Sequence, residues 1–573
     1  MFLPTTREEC RRLGWSSLDV ILVTGDAYID SPLVGVAVIG NVLAAAGFRV
    51  GLIAQPQVDA EVDIIRLGVP ALFWGVTAGA VDSMVANHTA GMRPRRRDDF
   101  TAGGRNDRRP DRAVIVYANL IRRFSRPIRP IVLGGIEASL RRISHYDVWN
   151  DRVRRSILFD AKADYLVYGM GETTTLALAR RLAAGRSAAD LAGVCHIAQD
   201  APEGCLRLPD HQEVAADPAA YNAMFARFAR HSRAPEGVGL CQRQDTRFLV
   251  QNPPPPPMSA AELDAVHELD YRRAVHPADL ARGPVRALDT IAFSLVSHRG
   301  CFGGCAFCAI SAHQGRTVVS RSAASLADEA RRLTAHPDFR GTIADVGGPT
   351  ANMYAMGCTR DPAAGPCRRA SCLYPAVCAH LDRDHAAQVS LLDRLASVEA
   401  VRHVFVASGI RHDLVLADGR SGGAYLKRLV GRHTSGQLKV APEHVVPEVL
   451  QVMGKPGPEV LEEFTARFQQ AAAASGRKRF LTYYFMAAHP GCRHAHMAAL
   501  EAYTRRRLHL RPEQIQIFTA PPSTRATAIF HTGHDPFTGE PVFVERRLAA
   551  RVAQKAAVLK RETGNLRTLN PAN

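Results

Sequence analysis

The first 170 residues alternate between short apolar segments and longer segments with apolar residues at helical spacing. Residues 19–24, 48–54, 71–76, 130–133 and 165–168 have the length and aliphatic content of buried strands. Residues 33–46, 113–124 and 173–184 have the periodicity of helices that cover a sheet. Because strands that alternate with helices form parallel sheets, the pattern predicts a Rossmann-like α/β domain over residues 1–252.

Glycine-containing loops follow three of these predicted strands. They are residues 25–30, 134–137 and 169–172. Since the carboxyl ends of parallel strands meet at one edge of a sheet, we expect the three loops to line one ligand-facing edge.

A run of prolines at residues 253–257 interrupts the alternation and predicts a stiff linker within a connecting segment, 253–286. Six further apolar segments then predict strands at 290–296, 342–346, 403–407, 437–440, 480–485 and 514–518. Helical patterns lie between them, at 326–335, 389–398, 424–432, 460–474 and 495–507. Six βα units over residues 287–543 predict a partial barrel with its chemistry at the carboxyl ends of the strands, and an open sheet is the alternative. Residues 544–573 are assigned to a C-terminal helix, 544–561, and a tail.

The composition is that of a globular protein of more than one domain. The chain has 573 residues, of which 46% are apolar and 22% charged. No apolar stretch approaches the length of a membrane-spanning helix, and no basic segment followed by an apolar core begins the sequence. We therefore expect a cytoplasmic protein without a membrane partner.

The charge is strongly positive but gives only weak support for a nucleic-acid partner. There are 72 Lys and Arg against 55 Asp and Glu, a net charge of +17, yet only seven of the basic residues are lysine. Such an arginine excess in an alanine-rich chain is typical of a codon-biased genome. The densest basic run, residues 93–112, also holds four aspartates, which favours a solvated mobile loop over an RNA-binding arm.

Three of the 12 cysteines form the strongest chemical signal. Cys301, Cys305 and Cys308 follow the first predicted barrel strand in the sequence RGCFGGCAFC. Three thiolates satisfy three irons of a four-iron cluster and leave the fourth iron open for a ligand. Structural zinc is the alternative, with His298 or His313 as a fourth ligand.

Four more cysteines lie in an insertion, residues 357–380. Cys358, Cys367, Cys372 and Cys378 stand among Arg, Asp and Pro residues that offer no hydrophobic face. We expect a second metal centre, either an auxiliary iron–sulfur cluster or a structural zinc. The remaining cysteines are predicted to be buried small hydrophobic residues rather than disulfide partners, because the cytoplasm is reducing; they are Cys10, Cys195, Cys205, Cys241 and Cys492.

The three-cysteine pattern, with Phe307 before the last cysteine, resembles the radical S-adenosylmethionine (SAM) superfamily. Nearly the whole chain, from residue 1 to about 544, looks like the YgiQ family within it. The segments that carry this resemblance are MFLPTTREEC, VTGDAYID, GFRVGLIAQP, RGCFGGCAFCAI, GGPTANMY, SGIRHDL, KVAPEH and DPFTGEPV. The resemblance implies a 4Fe–4S cluster, SAM bound to its open iron, and reductive cleavage of SAM to a 5′-deoxyadenosyl radical.

The resemblance also implies which strand ends bind SAM. Residues 347–349 are similar to the glycine-rich turn that meets the methionine amino group, and segments after the third and fourth strands are where the family places further contacts. The implied cofactor-binding residues are Phe307, Gly347, Gly348, Pro349, Ser408, Arg411, Lys439 and Glu443. An electron donor of flavodoxin or ferredoxin type is expected as a partner, whereas neither catalytic residues nor a substrate can be assigned.

The first domain resembles the cobalamin domains of several radical SAM families, through DYLVYGMGE at 164–172. Its 25–30 loop lacks the histidine that cobalt-ligating domains carry, so we favour a substrate-positioning domain and keep cobalamin as the alternative. A polar and aromatic stretch could meet a ligand or form a helix that faces the barrel; it contains Glu137, Arg141, Arg142, His145, Tyr146 and Trp149.

The sequence thus predicts a radical SAM enzyme with an unassigned substrate. One alternative is an RNA-modifying enzyme similar to methylthiotransferases, although no RNA-binding module accompanies the arginines. The other is a non-enzymatic iron–sulfur sensor, which would not explain an open coordination site beside strand ends that bind a cofactor.

Overall fold

The computed structural model describes residues 1–233, 237–365, 367 and 369–559. The strands of the first half are β1 Val20–Thr24, β2 Ile29–Asp30, β3 Val50–Ala54, β4 Phe73–Thr77, β5 Ile131–Leu133, β6 His145–Asp147, β7 Arg152–Arg154, β8 Tyr165–Val167, β9 Val194–Ala198, β10 Leu206–Arg207, β11 Leu240–Gln244 and β12 Arg247–Gln251. Its helices are α1 Arg7–Arg12, α2 Gly35–Ala45, α3 Glu61–Ile64, α4 Ser83–Asn87, α5 Ala113–Phe124, α6 Gly135–Leu140, α7 Ile157–Asp160, α8 Glu172–Ala183, α9 His211–Ala216 and α10 Pro218–Arg233.

Nine of these strands form one mixed sheet, in the order β10-β11-β12-β9-β8-β5-β4-β1-β3. The five predicted strands are its parallel part, since β1 pairs with β3 and β4, β4 with β5, and β5 with β8, all in parallel. Every residue of β1 and β3 is buried, as expected for strands covered by helices on both faces. The parallel α/β sheet is therefore confirmed.

The extension of this sheet by β9 to β12 was not predicted; β9, β12 and β11 join it in antiparallel pairs, and β10 pairs with β11 in parallel. β11 has the sequence LCQRQ, which looks too polar for an interior strand. Its Gln242 and Gln244 are nevertheless buried, because they accept hydrogen bonds from the backbone N–H groups of Ser144 (3.0 Å) and Ser156 (2.9 Å). Partners distant in sequence thus satisfy the hydrogen-bonding groups of the buried glutamines. The hydrophobic periodicity of the sequence could not identify such a polar strand.

Two predictions about the first half are wrong. Cys205 and Cys241 form a disulfide with a Cα–Cα distance of 6.0 Å, because the parallel pairing of β10 with β11 brings their chain segments together. The basic run 93–112 is not a wholly solvated mobile loop. Its Arg109 is buried and forms ion pairs with Asp26 (2.6 Å) and Asp98 (3.0 Å).

The connecting segment packs against the first half. Its elements are α11 Ala260–Glu268, β13 Ala274–Val275, α12 Pro277–Leu280 and α13 Ala287–Ile291. The carbonyl of Pro253, in the proline run, accepts a hydrogen bond from the Gly193 N–H (2.8 Å), and β13 pairs with β2. The linker therefore joins the two halves along the surface of the first.

The second half contains the strands β14 Ser294–Val296, β15 His298–Arg299, β16 Val319–Ser320, β17 Thr342–Ile343, β18 Asp345–Gly347, β19 His403–Val404, β20 Gln437–Glu443, β21 Phe480–Ala487 and β22 Gln516–Ile517. Its helices are α14 Ala309–Gln314, α15 Ala323–Thr334, α16 Ala386–Ala396, α17 His412–Ala417, α18 Gly422–Arg428, α19 Pro447–Met453, α20 Pro458–Ser475, α21 His494–Arg506, α22 Arg525–Thr532 and α23 Leu548–Ala556. A short π-helical turn, Leu429–His433, continues α18.

The strands of the second half pair in chain order. β14 pairs with β18, β17 with β19, β20 with β21, and β21 with β22, all in parallel. A parallel bridge between Ile410 and Val440 joins the third strand segment to the fourth. Sequential parallel order is what a partial barrel requires. The six predicted strand segments all run in parallel, so their carboxyl ends meet at one edge, and β15 and β16 form a separate antiparallel pair.

The ends of the second half differ slightly from expectation. The first strand begins at Ser294 rather than 290, because residues 287–291 belong to α13. The final helix is α23, and residues 560–561 of its predicted span lie outside the described residues. Among the described residues, no helix combines the length and the hydropathy needed to cross a bilayer.

Candidate functional site

The three-cysteine loop follows β15 and depends on glycine. Gly300 has φ +84°, and a Cβ there would lie 2.0 Å from the Thr317 carbonyl oxygen. Gly304 has φ +59°, and its Cβ would lie 2.5 Å from the Ala370 carbonyl oxygen. A side chain at either position would force the backbone apart, so the glycines are what allow the loop to wrap tightly.

The tight loop brings the three thiols around one space. A Cβ at Gly303 would lie 3.3 Å from the Cys301 sulfur and 3.6 Å from the Cys305 sulfur, so a side chain there would enter the space beside both. Cys308, the residue before α14, donates its N–H to the Cys305 carbonyl (3.1 Å). Burial, and then the neighbouring Cys305 and Cys301, raise the pKa of the Cys308 thiol to about 12.

This donor set fits an iron–sulfur cluster. Deprotonated together, three neighbouring thiols repel one another, and a cationic metal centre removes that penalty. No three Cys, His, Asp or Glu side chains in the described part of the chain are arranged as a ready single-ion site. The fit therefore rests on the shared space and on the thiol chemistry.

The histidines that a zinc site would use are engaged elsewhere. His298 is fully buried, with Nε2 2.9 Å from the Thr350 carbonyl and Nδ1 2.9 Å from the Ser297 hydroxyl. The Nδ1 of His313 lies 3.1 Å from the hydroxyl of Ser139 in the first half. Neither contact favours the zinc alternative at the three-cysteine loop.

Arg411 lies beside the three-cysteine loop. Its Nη1 donates to the Cys305 sulfur (3.4 Å), and its Nε donates to Asp413 (2.8 Å). Burial opposes the charged guanidinium, but Asp413 outweighs it and holds the pKa of Arg411 above its usual range. Arg411 is predicted as a SAM contact, and the structure places it as a permanent cation against the Cys305 thiol.

The turn at residues 347–349 lies close to the three-cysteine loop. His298, which precedes the loop, and Thr350, which follows the turn, make the contacts. A Cβ at Gly348 would lie 2.7 Å from Nε2 of His298, and one at Gly347 would lie 3.0 Å from the Ser408 hydroxyl. Pro349 is half-buried between Gly348 and Thr350. Thr350 was not predicted, yet its hydroxyl lies 3.5 Å from the Cys301 sulfur.

The close contact at Gly348 makes a testable prediction. In the Gly348→Ala protein the added methyl group overlaps His298, so the turn must shift at a cost of about 1–3 kcal/mol. We expect SAM affinity, measured by equilibrium dialysis on the reconstituted protein, to fall roughly tenfold or more. Gly436→Ala is the matched control, because nothing lies within 4 Å of its added Cβ. Equal affinities for the two variants would contradict the role of the turn.

Two further predicted residues, Ser408 and Lys439, belong to the third and fourth strand segments. Ser408 donates its N–H (3.1 Å) and its hydroxyl to Asp345. The Lys439 carbonyl accepts the Ile410 N–H (3.1 Å), which joins the third strand end to the fourth. Ser408 therefore follows the third strand, β19, whereas Lys439 lies inside β20, four residues before that strand ends at Glu443.

The fourth strand ends at Glu443, whose carboxyl lies near the basic residues Lys455 and Arg411. Glu443 has φ +68°, and burial raises the pKa of its carboxyl against the opposing effects of Lys455 and Arg411. Lys455, which was not predicted, donates Nζ to the Ala441 carbonyl (2.7 Å) and lies 5.9 Å from the centre of the Phe307 ring. This basic residue follows α19, far in sequence from the cysteines, and no local pattern marks it.

Buried histidines around the strand ends predict acid sensitivity. Burial lowers the pKa of His412 and His489 to about 4 and that of His444 to about 3, from a usual 6.5. Below pH 6.5 the unfolded chain therefore binds more protons than the folded one, so stability falls as the pH drops. Each of these histidines should lower the free energy of unfolding by up to about 2 kcal/mol at pH 5. We therefore expect a lower thermal unfolding midpoint at pH 5 than at pH 7.5. A midpoint unchanged or higher at pH 5 would contradict this; exposed His494→Gln should leave the difference intact.

A cavity lies between the first half of the chain and helix α14. Its volume is about 370 Å³, and it is lined by residues 134–136 and 169–172 together with Ile310, His313 and Gln314. Arg299, at the start of the cysteine loop, forms an ion pair with Glu172. Two of the three loops expected at the ligand-facing edge are confirmed there. The 25–30 loop is not part of the lining, because Asp26 is bound to Arg109 instead.

The cavity is small for cobalamin. Ligand pockets for drug-sized molecules span roughly 300–1,000 Å³, and a corrin ring with its nucleotide tail is larger than such molecules. The cavity of about 370 Å³ therefore suits a small, largely apolar ligand.

The polar and aromatic stretch after β5 is mostly internal. Glu137 is buried and accepts the N–H groups of Ser83 (2.8 Å) and Val114 (3.2 Å). Arg142 donates to Gln251 (3.0 Å) and lies over the Tyr168 ring. The remaining predicted residues do not line the cavity; they are Arg141, His145, Tyr146 and Trp149.

The other cysteines fall into two groups. Cys10, Cys195 and Cys492 are buried, as predicted. Cys358, Cys367, Cys372 and Cys378 line one cavity at the surface of the second half, with a volume of about 960 Å³.

Comparison with known proteins identifies the family. Residues 2–294 match the family described as Radical SAM N-terminal. The UPF0313 protein FN0734 of Fusobacterium nucleatum is 47% identical over 561 residues, which cover 98% of this chain and 99% of that protein. A UPF0313 protein of Thermotoga maritima is 48% identical over 567 residues, with 98% and 99% coverage.

The chain belongs to the UPF0313, or YgiQ, family of radical SAM proteins. The resemblance inferred from the cysteine loop is thus confirmed. With it come the family's cofactors, a 4Fe–4S cluster and SAM.

Two solved structures are distantly similar to this radical SAM protein. The radical SAM methyltransferase TsrM from Kitasatospora setae, with tryptophan and aza-SAM bound, has a TM-score of 0.49 and 14% identity over 88% of this chain and 75% of that one. The cobalamin-dependent SAM radical enzyme OxsB, with aqua-cobalamin bound, has a TM-score of 0.45 and 12% identity over 82% and 50%.

Proposed function

We propose that this protein is an enzyme that cleaves SAM reductively to methionine and a 5′-deoxyadenosyl radical, which abstracts hydrogen from a substrate. The observation that carries the proposal is the glycine-dependent loop that gathers Cys301, Cys305 and Cys308 beside the strand ends. Three thiolates leave one iron of a 4Fe–4S cluster free. When bound, the cluster supplies the electron that breaks the sulfonium bond of SAM.

The chain's own residues hold and orient these groups. Cys301, Cys305 and Cys308 would ligate the cluster, and Arg411 would offset its negative charge through the contact with Cys305. Asp413 fixes the guanidinium in place and keeps it protonated.

SAM would lie on the strand ends next to this loop. Residues 347–349 would meet its amino group and Ser408 its ribose or carboxylate, and Phe307, Lys439 and Glu443 would complete the set of residues that hold it. The close contacts of Gly347 and Gly348 leave no room for larger residues in that turn.

The substrate would enter from the first half. The cavity of about 370 Å³ between residues 134–136 and residues 169–172 is bordered by α14, the helix that begins directly after Cys308. Its walls are mainly apolar, which favours a substrate with a small apolar part.

The proposal is tested by anaerobic turnover. The full chain is reconstituted with iron and sulfide, then mixed with SAM and a low-potential reductant, dithionite or reduced flavodoxin. We expect 5′-deoxyadenosine to accumulate, detected by liquid chromatography and mass spectrometry, and none to form without reductant. Intact cluster without 5′-deoxyadenosine would contradict the proposal and leave a non-enzymatic role.

A further inference from the structure

The second cysteine group lines one continuous space. Cys358, Cys367, Cys372 and Cys378 all contribute to the wall of the 960 Å³ cavity. The other lining residues include Arg360 and Arg369, so the thiols are accompanied by positive charge. Four thiols and cationic neighbours around one space are a donor set for an anionic metal centre.

Backbone hydrogen bonds hold this segment in a closed shape. Cys358 forms an antiparallel bridge with Leu381, and the Thr359 N–H donates to the His380 carbonyl (2.8 Å). The Cys378 N–H donates to the Cys372 carbonyl (2.8 Å). The first and the last cysteine of the group are therefore brought to the same end of the segment although 20 positions separate them.

Hydrogen bonds also join this segment to the three-cysteine loop. The Ser371 hydroxyl donates to the Gly303 carbonyl (2.6 Å), and the Cys372 N–H donates to the Phe302 carbonyl (3.2 Å). Cys301 and Cys372 pack against the same apolar cluster, which contains the buried Phe302. The second thiol group thus lies next to the loop that carries the first.

We propose that Cys358, Cys367, Cys372 and Cys378 hold a second iron–sulfur cluster. A cuboidal cluster with four thiolate ligands has a closed coordination shell, in contrast to the open iron expected at the first loop. The space they surround is far larger than a single zinc ion needs, and Arg316 lies 4.0 Å from the Cys372 sulfur. The proposal does not depend on SAM cleavage.

Iron analysis separates the two centres. The full chain carrying Cys301→Ala, Cys305→Ala and Cys308→Ala is reconstituted with iron and sulfide without oxygen. We expect it to retain about four iron and four sulfide per chain, against about eight for the wild type. An iron content near zero, or one bound zinc in place of iron, would overturn the proposal.

Removing a ligand of the second centre completes the test. Adding Cys358→Ser to the triple variant should abolish the remaining iron and its absorption near 400 nm. Cys358 is exposed, so its replacement should not impair folding. Adding Cys10→Ala instead is the control and should leave the iron content unchanged. Iron that survives Cys358→Ser would contradict the four-cysteine assignment.

Discussion

A Cys305→Ala protein will lose its first cluster and produce no 5′-deoxyadenosine. Cys305 stands at the centre of the loop, beside Cys301 across the Gly303 backbone and against Arg411. Replacing a residue that only hydrogen-bonds to a metal ligand typically lowers metal affinity or activity by roughly 10–100-fold. Loss of a ligand itself should therefore lower turnover by more than about 100-fold. The measurement is the rate of 5′-deoxyadenosine formation per chain under anaerobic conditions.

The matched control is Cys10→Ala, which removes a buried thiol remote from both cysteine groups. It should retain wild-type turnover. If Cys305→Ala cleaves SAM at the wild-type rate, the three-cysteine loop is not the reaction centre. The iron retained by Cys305→Ala should match the second centre alone.

An Arg109→Met protein will lose about 3–5 kcal/mol in the free energy of unfolding of the first half. The guanidinium of Arg109 is buried and lies 2.6 Å from Asp26 and 3.0 Å from Asp98. Burial already raises the pKa of Asp26 to about 6 against the opposing charge of Arg109. Without that cation, two buried carboxylates remain unpaired.

Tryptophan fluorescence during urea unfolding measures this loss, because Trp15, Trp74 and Trp149 all lie in the first half. Arg105→Met is the control. The Arg105 side chain is 83% exposed, so its replacement should change stability by no more than about 0.5 kcal/mol. Equal unfolding midpoints for the two variants would contradict the buried ion-pair network.

The strands that could be predicted from the sequence are those whose own residues form an apolar segment. β1 and β3 are uninterrupted apolar segments, and both are buried along their whole length. β11 was missed because its glutamines are stabilised by Ser144 and Ser156, about 100 and 90 residues away, and no local pattern reports such partners.

The same distinction holds at the site. The three cysteines could be recognised because their spacing is local, within eight residues. Thr350 contacts Cys301 from 49 residues away, and Arg411 reaches Cys305 from 106 residues away. Asp26 looked like part of a ligand-facing loop but is held by Arg109, 83 positions later. Contacts between distant strand ends required the structure.

The proposed reaction breaks the bond between sulfur and the 5′ carbon of SAM. Its most direct test is the ratio of 5′-deoxyadenosine to methionine released by the reduced, cluster-loaded wild-type protein. Cleavage at that bond predicts equal amounts of the two products. Release of methylthioadenosine instead, or no product from a protein with intact cluster, would contradict the account.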